Sequence, residues 1–301
     1  MLPSRLQNVD LTEEDCIRAL YSARWPAGFI CPRCAHHQAY RIASRKLPLY
    51  ECKSCRAQTS LISGTIMEGS RTPLSSWFKA IRMHASAEGI NARQLSDLIG
   101  VTYKTAWLIC HKLRHAMSRA DAKRLLSGVV RVTHSVYCRR ITASLKWQPQ
   151  EQPLLIGASE DRKGAIKQIK LSKKNKLHLP HPYASPNPES FILHNVSPES
   201  RADVIFTKRV GQHRNRSLIQ IGYEAEKFLA RIFGGIGPKH LQVYLDQFAY
   251  GWNRKHENRY NALLADCAGT PTITYRMLVG SRTSVPSRRT RTRTPSFQAA
   301  G

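Results

Sequence analysis

Long apolar runs are missing from this chain. Nothing in its 301 residues approaches the roughly 20 consecutive apolar residues a membrane helix needs, and Met1 to Asp10 lacks the apolar centre of a secretory signal. Acids are also scarce: Asp and Glu number 20 against 47 Lys and Arg, a formal charge of +27. Self-repulsion on that scale is relieved by a polyanionic partner, and nucleic acid is the commonest one. A membrane surface is the weaker alternative, because no basic amphipathic helix stands out. No internal repeat is visible. Hydrophobic residues still make up 42% of the chain, so a core can form, and the length allows two or three domains. The expectation is a soluble protein of the cytoplasm.

Cysteine is the exception to the scarcity. Cys31-Pro32-Arg33-Cys34 is answered, after seventeen residues, by Cys52-Lys53-Ser54-Cys55. Two residues between thiols let one tight turn aim both sulfurs at a single metal. Two such turns complete a tetrahedron with no open position, so the expected zinc is structural and cannot activate water. Tyr40-Arg41-Ile42 and Leu49-Tyr50-Glu51 read as the strands of a hairpin between them, which makes a zinc ribbon. A redox dithiol needs only one such pair, and two disulfides would need an oxidising compartment. The other four cysteines, Cys16, Cys110, Cys138 and Cys267, lie far apart and are expected to stay reduced.

Before the ribbon, Leu11 to Ala23 reads as a helix with Thr12 as cap, Asp15 at its third position and an apolar stripe of Cys16, Ile17, Leu20 and Tyr21. Trp25 and Phe29 are expected to pack on the ribbon, and Thr59 to Ile66 to close it as a strand. A helix follows from Thr72-Pro73, with Thr72 as cap, towards Glu88-Gly89. Asn91 caps a second helix with Leu95, Leu98 and Ile99 inward, Gly100-Val101 turns, and Thr102 caps a third from Tyr103 to Met117. Two helices joined by so short a turn match a helix-turn-helix, whose second helix enters the major groove by its first residues. Here those are Thr102, Tyr103, Lys104 and Thr105: Lys104 reaches phosphate or guanine, and the threonines reach phosphate or a thymine methyl. The alternative is an ordinary helical hairpin with a solvated polar face. Ten Lys/Arg against three acids between Arg71 and Arg124 favour DNA.

From Val129 to Tyr137 the chain alternates and is β-branched, a strand. Leu154 to Ser159 and Ala165 to Leu171 follow as strands with a turn at Lys163-Gly164, so this reads as a β-meander. Ser172 to Ser190 reads as an irregular insertion, Val204 to Thr207 as a fourth strand, and Tyr223 to Phe233 and Pro238 to Trp252 as helices. Ser281 to Gly301 carries five arginines and no acid and reads as a disordered tail.

The order of these modules resembles the bacterial insertion-sequence transposases of the ISXO-two-like type. The resemblance lies in Arg24-Trp25-Pro26-Ala27-Gly28-Phe29 leading into Cys31, in Gly64-Thr65-Ile66, in Leu74-Ser75-Ser76-Trp77-Phe78 and in Val101 to Trp107. It continues through Leu126-Ser127-Gly128-Val129-Val130, Lys239 to Phe248 and Trp252-Asn253-Arg254-Lys255. It implies a multidomain α+β fold: a zinc ribbon over residues 1–68, a helix-turn-helix segment over 69–125, a degenerate RNase H-like α/β core over 126–280 and the basic tail over 281–301. It also implies binding to transposon ends in double-stranded DNA, beside the nucleoid, with a homo-oligomer left open.

Such enzymes transfer phosphoryl groups on DNA with two Mg²⁺ ions held by converging acids, because Mg²⁺ takes oxygen ligands. In the register of the resemblance the first acid falls at Thr133, the second at Lys208, and the third motif at His213, Asn215 and Leu218. Asp203 and Asn215 are the best surviving pair, Glu160, Asp161, Glu224 and Glu226 are weaker substitutes, and Asp246 matches a structural acid of the family. The sequence therefore predicts a DNA-binding protein of the transposase family with eroded strand-cleavage and strand-transfer activity, needing Mg²⁺ only if activity survives. The alternatives are an active metal-dependent transposase, a transposase-derived DNA-binding regulator, or a ribbon that docks protein while DNA contact is only electrostatic.

Overall fold

In the computed structural model of the chain, residues 11–138, 144–209 and 214–279 are described. His213, the N-terminal decapeptide and the basic tail lie outside them. The first helix, α1 (Glu13–Arg24), opens with the expected capping box between Thr12 and Asp15 and buries Cys16, Ile17, Ala19 and Leu20. Trp25 and Phe29 pack on the ribbon as the sequence suggests, joined by Tyr21 and Tyr50 at ring separations of 5.0 to 6.0 Å. The ribbon is an antiparallel sheet of β1 (Ala39–Ile42), β2 (Leu49–Cys52) and β3 (Gln58–Ser60). The last strand is shorter than the expected Thr59 to Ile66. Past Ser60 the backbone runs through successive turns, with Ser63, Thr65 and Glu68 N–H groups donating to carbonyls three residues back. Arg24 holds them by donating to the Ser60 and Leu61 carbonyls at 2.7 Å.

Helix α2 (Leu74–Ala85) has Pro73 rather than Thr72 at its cap. Proline brings no side-chain acceptor, and the first N–H groups are satisfied from another element. The Glu13 carboxylate accepts from Leu74 N–H at 2.7 Å and Ser75 N–H at 2.9 Å, which locks α1 to the start of α2. Helix α3 (Ala92–Ile99) starts with an Asn91–Gln94 capping box and ends at Gly100, whose φ of 65° is left-handed. Leu95 is buried, whereas Leu98 is 48% exposed and not inward, because this two-turn helix covers its neighbour with only one stripe. Helix α4 (Tyr103–Ala122) is capped by Thr102 and runs past the expected Met117. Lys112 and Arg114, counted by charge as DNA-facing, are buried instead. Lys112 donates to the Glu68 carbonyl, and Arg114 donates to Gln247 at 2.8 Å and lies 3.9 Å over the Tyr244 ring.

The second sheet has the order β6-β5-β4-β7, built from β4 (Val129–Tyr137), β5 (Gln152–Glu160), β6 (Ile166–Lys173) and β7 (Ile205–Thr207). The first three form the expected antiparallel meander, and β7 joins β4 in parallel, Thr133 opposite Thr207. Both faces are covered, so β5 is buried along nearly all its length. On one face lies α5 (Glu189–Asn195), a helix that begins at the very end of the Ser172 to Ser190 segment expected to be irregular. Its Phe191 sits on Gly157, where an added Cβ would come within 2.6 Å of the ring. On the other lie α6 (Arg216–Phe233) and α7 (Leu241–Asn253), with Gly222 of α6 against Ile156 and Ser135.

Two further helices, α8 (Arg259–Gly269) and α9 (Tyr275–Val279), were not expected. α8 returns to the N-terminal half and packs on α1, α2 and α4. One buried apolar cluster thus runs from Cys16 to Met117 and takes in Tyr250, Leu263, Leu264 and Cys267, crossing the boundary placed at residues 68 and 69.

Candidate metal centre and nucleic-acid surface

The two cysteine turns are built alike. In each, the N–H four residues after the first cysteine donates to its carbonyl, Ala35 to Cys31 at 2.9 Å and Arg56 to Cys52 at 3.1 Å. The same two residues, Ala35 and Arg56, take φ of 57°, a left-handed conformation that L residues adopt at some cost. The four sulfurs are brought within 4.8 Å of one another, with Cys31 to Cys55 and Cys34 to Cys52 at 3.6 Å. That is far beyond the S–S bond of about 2.05 Å. It is close to the edge of about 3.8 Å that a tetrahedron of thiolates 2.3 Å from zinc must have. Burial opposes ionisation of Cys31, but backbone N–H groups of Arg33 and Cys34 and the thiols of Cys55 and Cys34 outweigh it and bring it down to about 7. Cys34 accepts the His36 N–H, yet its neighbouring thiols push it up to about 11. Four crowded thiols that cannot all ionise alone are a donor set that a divalent cation relieves, and the sulfur chemistry fits zinc. Among the described residues no other group of three or more His, Cys, Asp or Glu side chains is gathered closely enough to share a metal.

The ribbon also carries charge. Arg18, His37, Arg41 and Lys53 line a groove of about 720 Å³ between α1 and the ribbon, with Tyr21 and Phe29 at its wall. Lys53 and Arg56 lie 5.1 and 5.9 Å from the ring of Tyr40, which is itself half exposed.

At the start of α4 the four expected contact residues are together. Thr102, Tyr103 and Lys104 are exposed and Thr105 is half-buried. Thr102 Oγ1 accepts the Thr105 N–H at 3.3 Å and lies 3.0 Å from its hydroxyl, so the two threonines are held as a pair. Lys104 makes no ion pair among the described residues. Across from this turn stands α9, and Tyr103, Lys104, Trp107 and Tyr275 share a hollow of about 600 Å³.

Comparison with known proteins bears on the ribbon first. Residues 11–58 match the transposase zinc-ribbon domain. A protein of Halobacterium salinarum, described as an uncharacterized protein in transposable element ISH50, is 29% identical over 145 residues. That match covers 48% of this chain and 47% of the relative, so it spans about half the length of each. No solved structure matches the chain. The matches support the insertion-sequence transposase family.

The positions that the sequence resemblance assigns to Mg²⁺ ligands can be followed on the sheet. Thr133 is fully buried on β4 and donates its hydroxyl to the Thr207 carbonyl at 2.9 Å. Lys208 comes directly after the paired Thr207, so β4 and β7 bring the first two positions side by side. Leu218 is fully buried on α6, in the cluster that holds Ile156 and Tyr137. A hydroxyl, an ammonium and an alkyl group do not fit a Mg²⁺ ion.

Among the substitute groups, Asn215, Glu160 and Asp161 are already engaged in holding local structure. Asn215 caps α6 by accepting the Leu218 N–H at 3.0 Å. Glu160 accepts from Arg131 at 2.8 Å, and Asp161 fastens its turn by accepting from Lys163 and Ala165 N–H groups at 2.9 Å. Glu226 is half-buried, and desolvation pushes its carboxyl up. Asp203 is exposed in the loop before β7, and Glu224 is exposed on α6. Asp246 is structural, accepting from Ser118 at 2.6 Å and Gln242 at 2.7 Å, and burial pushes its carboxyl up.

Sequence reasoning missed Glu13 as the cap of α2, because 61 residues separate it from Leu74. It also missed the arginines around the start of α6.

Proposed function

We propose that this chain binds double-stranded DNA through the α3–α4 pair and the ribbon, with a structural zinc on Cys31, Cys34, Cys52 and Cys55, and that it no longer performs two-metal strand transfer. The observation that carries the reading is the first turn of α4. An unpaired Lys104 and an exposed Tyr103 follow the tight turn at Gly100, on a helix whose other side is anchored in the core. A recognition helix needs that combination of a rigid base and a free basic end. The sheet supports an RNase H-like core, since a three-strand meander with a fourth strand parallel to the first carries helices on both faces. Loss of strand transfer is supported by Thr133, Lys208 and Leu218, which leave two Mg²⁺ ions without ligands.

Duplex binding measured across salt concentrations tests the reading. With several phosphates neutralised, affinity should fall by roughly 10³-fold or more between low and moderate salt. Lys104→Ala should weaken binding and lower the salt slope by about one unit. Affinity that stays flat with salt, or is indifferent to Lys104, contradicts it.

A further inference from the structure

We infer that the hollow between the end of β7 and the first two turns of α6 binds a single nucleic-acid strand, holding a phosphate with arginines and an unpaired base against tyrosine. The inference rests on the nucleic-acid reading above, but not on the α3–α4 pair. The hollow measures about 400 Å³, within the range of roughly 300–1,000 Å³ typical of small-ligand pockets. Arg216, Ile219, Gln220 and Tyr223 line it from one side of α6, at the i, i+3, i+4 and i+7 spacing that places residues on a single helix face. Arg214 joins them from just before the Asn215 cap, Arg209 from the end of β7, and Tyr183 from the loop leading to α5.

Three guanidinium groups here lack their usual partners. Among the described residues none of Arg209, Arg214 and Arg216 forms an ion pair with a carboxylate, and Arg209 Nη1 is buried with no hydrogen-bond partner. The acid that Arg209 feels is Glu226, whose own burial favours its neutral form. The N-terminus of the 18-residue α6 adds partial positive charge at the same place. The nearby His134 is held down to about 4 by burial and by the charges of Arg209 and Lys208. A concave, uncompensated positive site of this size is relieved when an anion enters. Guanidinium favours phosphate, through bidentate hydrogen bonds.

Tyr223 says which phosphate. It is 45% exposed, so its ring surface is open at the hollow's mouth, while Tyr183 borders the hollow with its ring 6.2 Å from that of His181. Free phosphate would leave the Tyr223 ring unused, and a duplex keeps its bases stacked on each other. An unpaired base can stack on tyrosine while its phosphate meets arginine. The site adjoins Lys208, so arginine takes the phosphate where the transposase family would use metal.

The test uses the full chain, a fluorescent oligothymidylate of about 12 nucleotides and a labelled duplex of mixed sequence. Arg214→Gln with Arg216→Gln should weaken single-strand binding about tenfold and flatten its salt slope by about 1.4, at roughly 0.7 per phosphate contact. Lys104→Ala should leave single-strand binding within about twofold. Tyr223→Leu should weaken it at least about fivefold, and Tyr223→Phe should retain it, because only stacking is needed. Thymidine monophosphate should displace the strand at lower concentration than inorganic phosphate.

Unchanged melting temperatures would establish that the variants fold. The inference is overturned if the arginine pair weakens duplex and single strand by the same factor, if Tyr223→Phe fails as badly as Tyr223→Leu, or if phosphate competes as well as the nucleotide. Should Lys104→Ala spare duplex binding while the arginine pair abolishes single-strand binding, the helix-pair reading fails and this site stands.

Discussion

Single residues carry more of this fold than their type suggests. Glu13 is charged and near the chain's start, yet it supplies the acceptors that α2 lacks at Pro73. Glu13→Ala should destabilise the protein by about 1 kcal/mol, the usual cost of a lost cap, measured by denaturant unfolding. A change below a few tenths would mean that water satisfies Leu74 and Ser75 equally well. His84 is buried and is hydrogen-bonded only through Nδ1–H, which donates to the Ala80 carbonyl at 2.9 Å. Burial first, then the Arg114 charge, hold it down to about 3 against an ordinary 6.5. His111 is held down to about 3 by the same two causes, with His240 adding a little. The unfolded chain therefore binds protons that the folded chain refuses. Stability should be level above about pH 7 and fall between pH 6.5 and 3, by about 1.4 kcal/mol per pH unit for His84 alone. His84→Leu should make the decline shallower; an unchanged slope would show that His84 is not the proton acceptor.

Elements were legible in the sequence wherever the signal was local. The two CxxC turns, the Asn91 and Thr102 caps and the alternation from Val129 to Tyr137 each depend on neighbours within a few residues, and each is present. The misses share the opposite property. Leu98 is exposed because its partner helix covers only Leu95 and Ser96, and that is decided by packing rather than by periodicity. Lys112 and Arg114 are buried because Glu68 and Gln247 wait for them across the fold. α8 escaped notice because its apolar face has meaning only against α1, α2 and α4. That shared core sets the expectation for the ribbon. Cys52→Ser should abolish binding of one zinc per chain and unfold β1–β3, since metal binding and folding are coupled in small ribbons. The far-ultraviolet helical signal should persist, because Trp77, Ile81, Leu95 and Leu113 remain packed with α8. A wild-type protein that carries no zinc at neutral pH would contradict the metal assignment.

At the scale of the whole molecule, the N-terminal half and α8 form one apolar body, and the second sheet docks through α7, which touches both β6 and α4. Buried charges fasten the joint. Lys170 pairs with Asp121 at 2.7 Å, Asn253 bridges Asp121 and the Ile169 backbone, and Arg254 lies 3.6 Å over the Tyr250 ring. The Trp252-Asn253-Arg254-Lys255 motif behind the family resemblance therefore does structural work here. On the proposed reading of this sheet as an RNase H-like core, Thr133, Lys208 and Leu218 stand where the family would place its Mg²⁺ ligands. The most direct test follows duplex DNA with the unmodified protein in Mg²⁺ and in Mn²⁺, reading retention on a native gel and strand breaks on a denaturing one. Salt-sensitive retention with no strand breaks in either metal is the expected result. Metal-dependent breaks that disappear in Asp203→Ala would contradict it and place the chain among the active transposases.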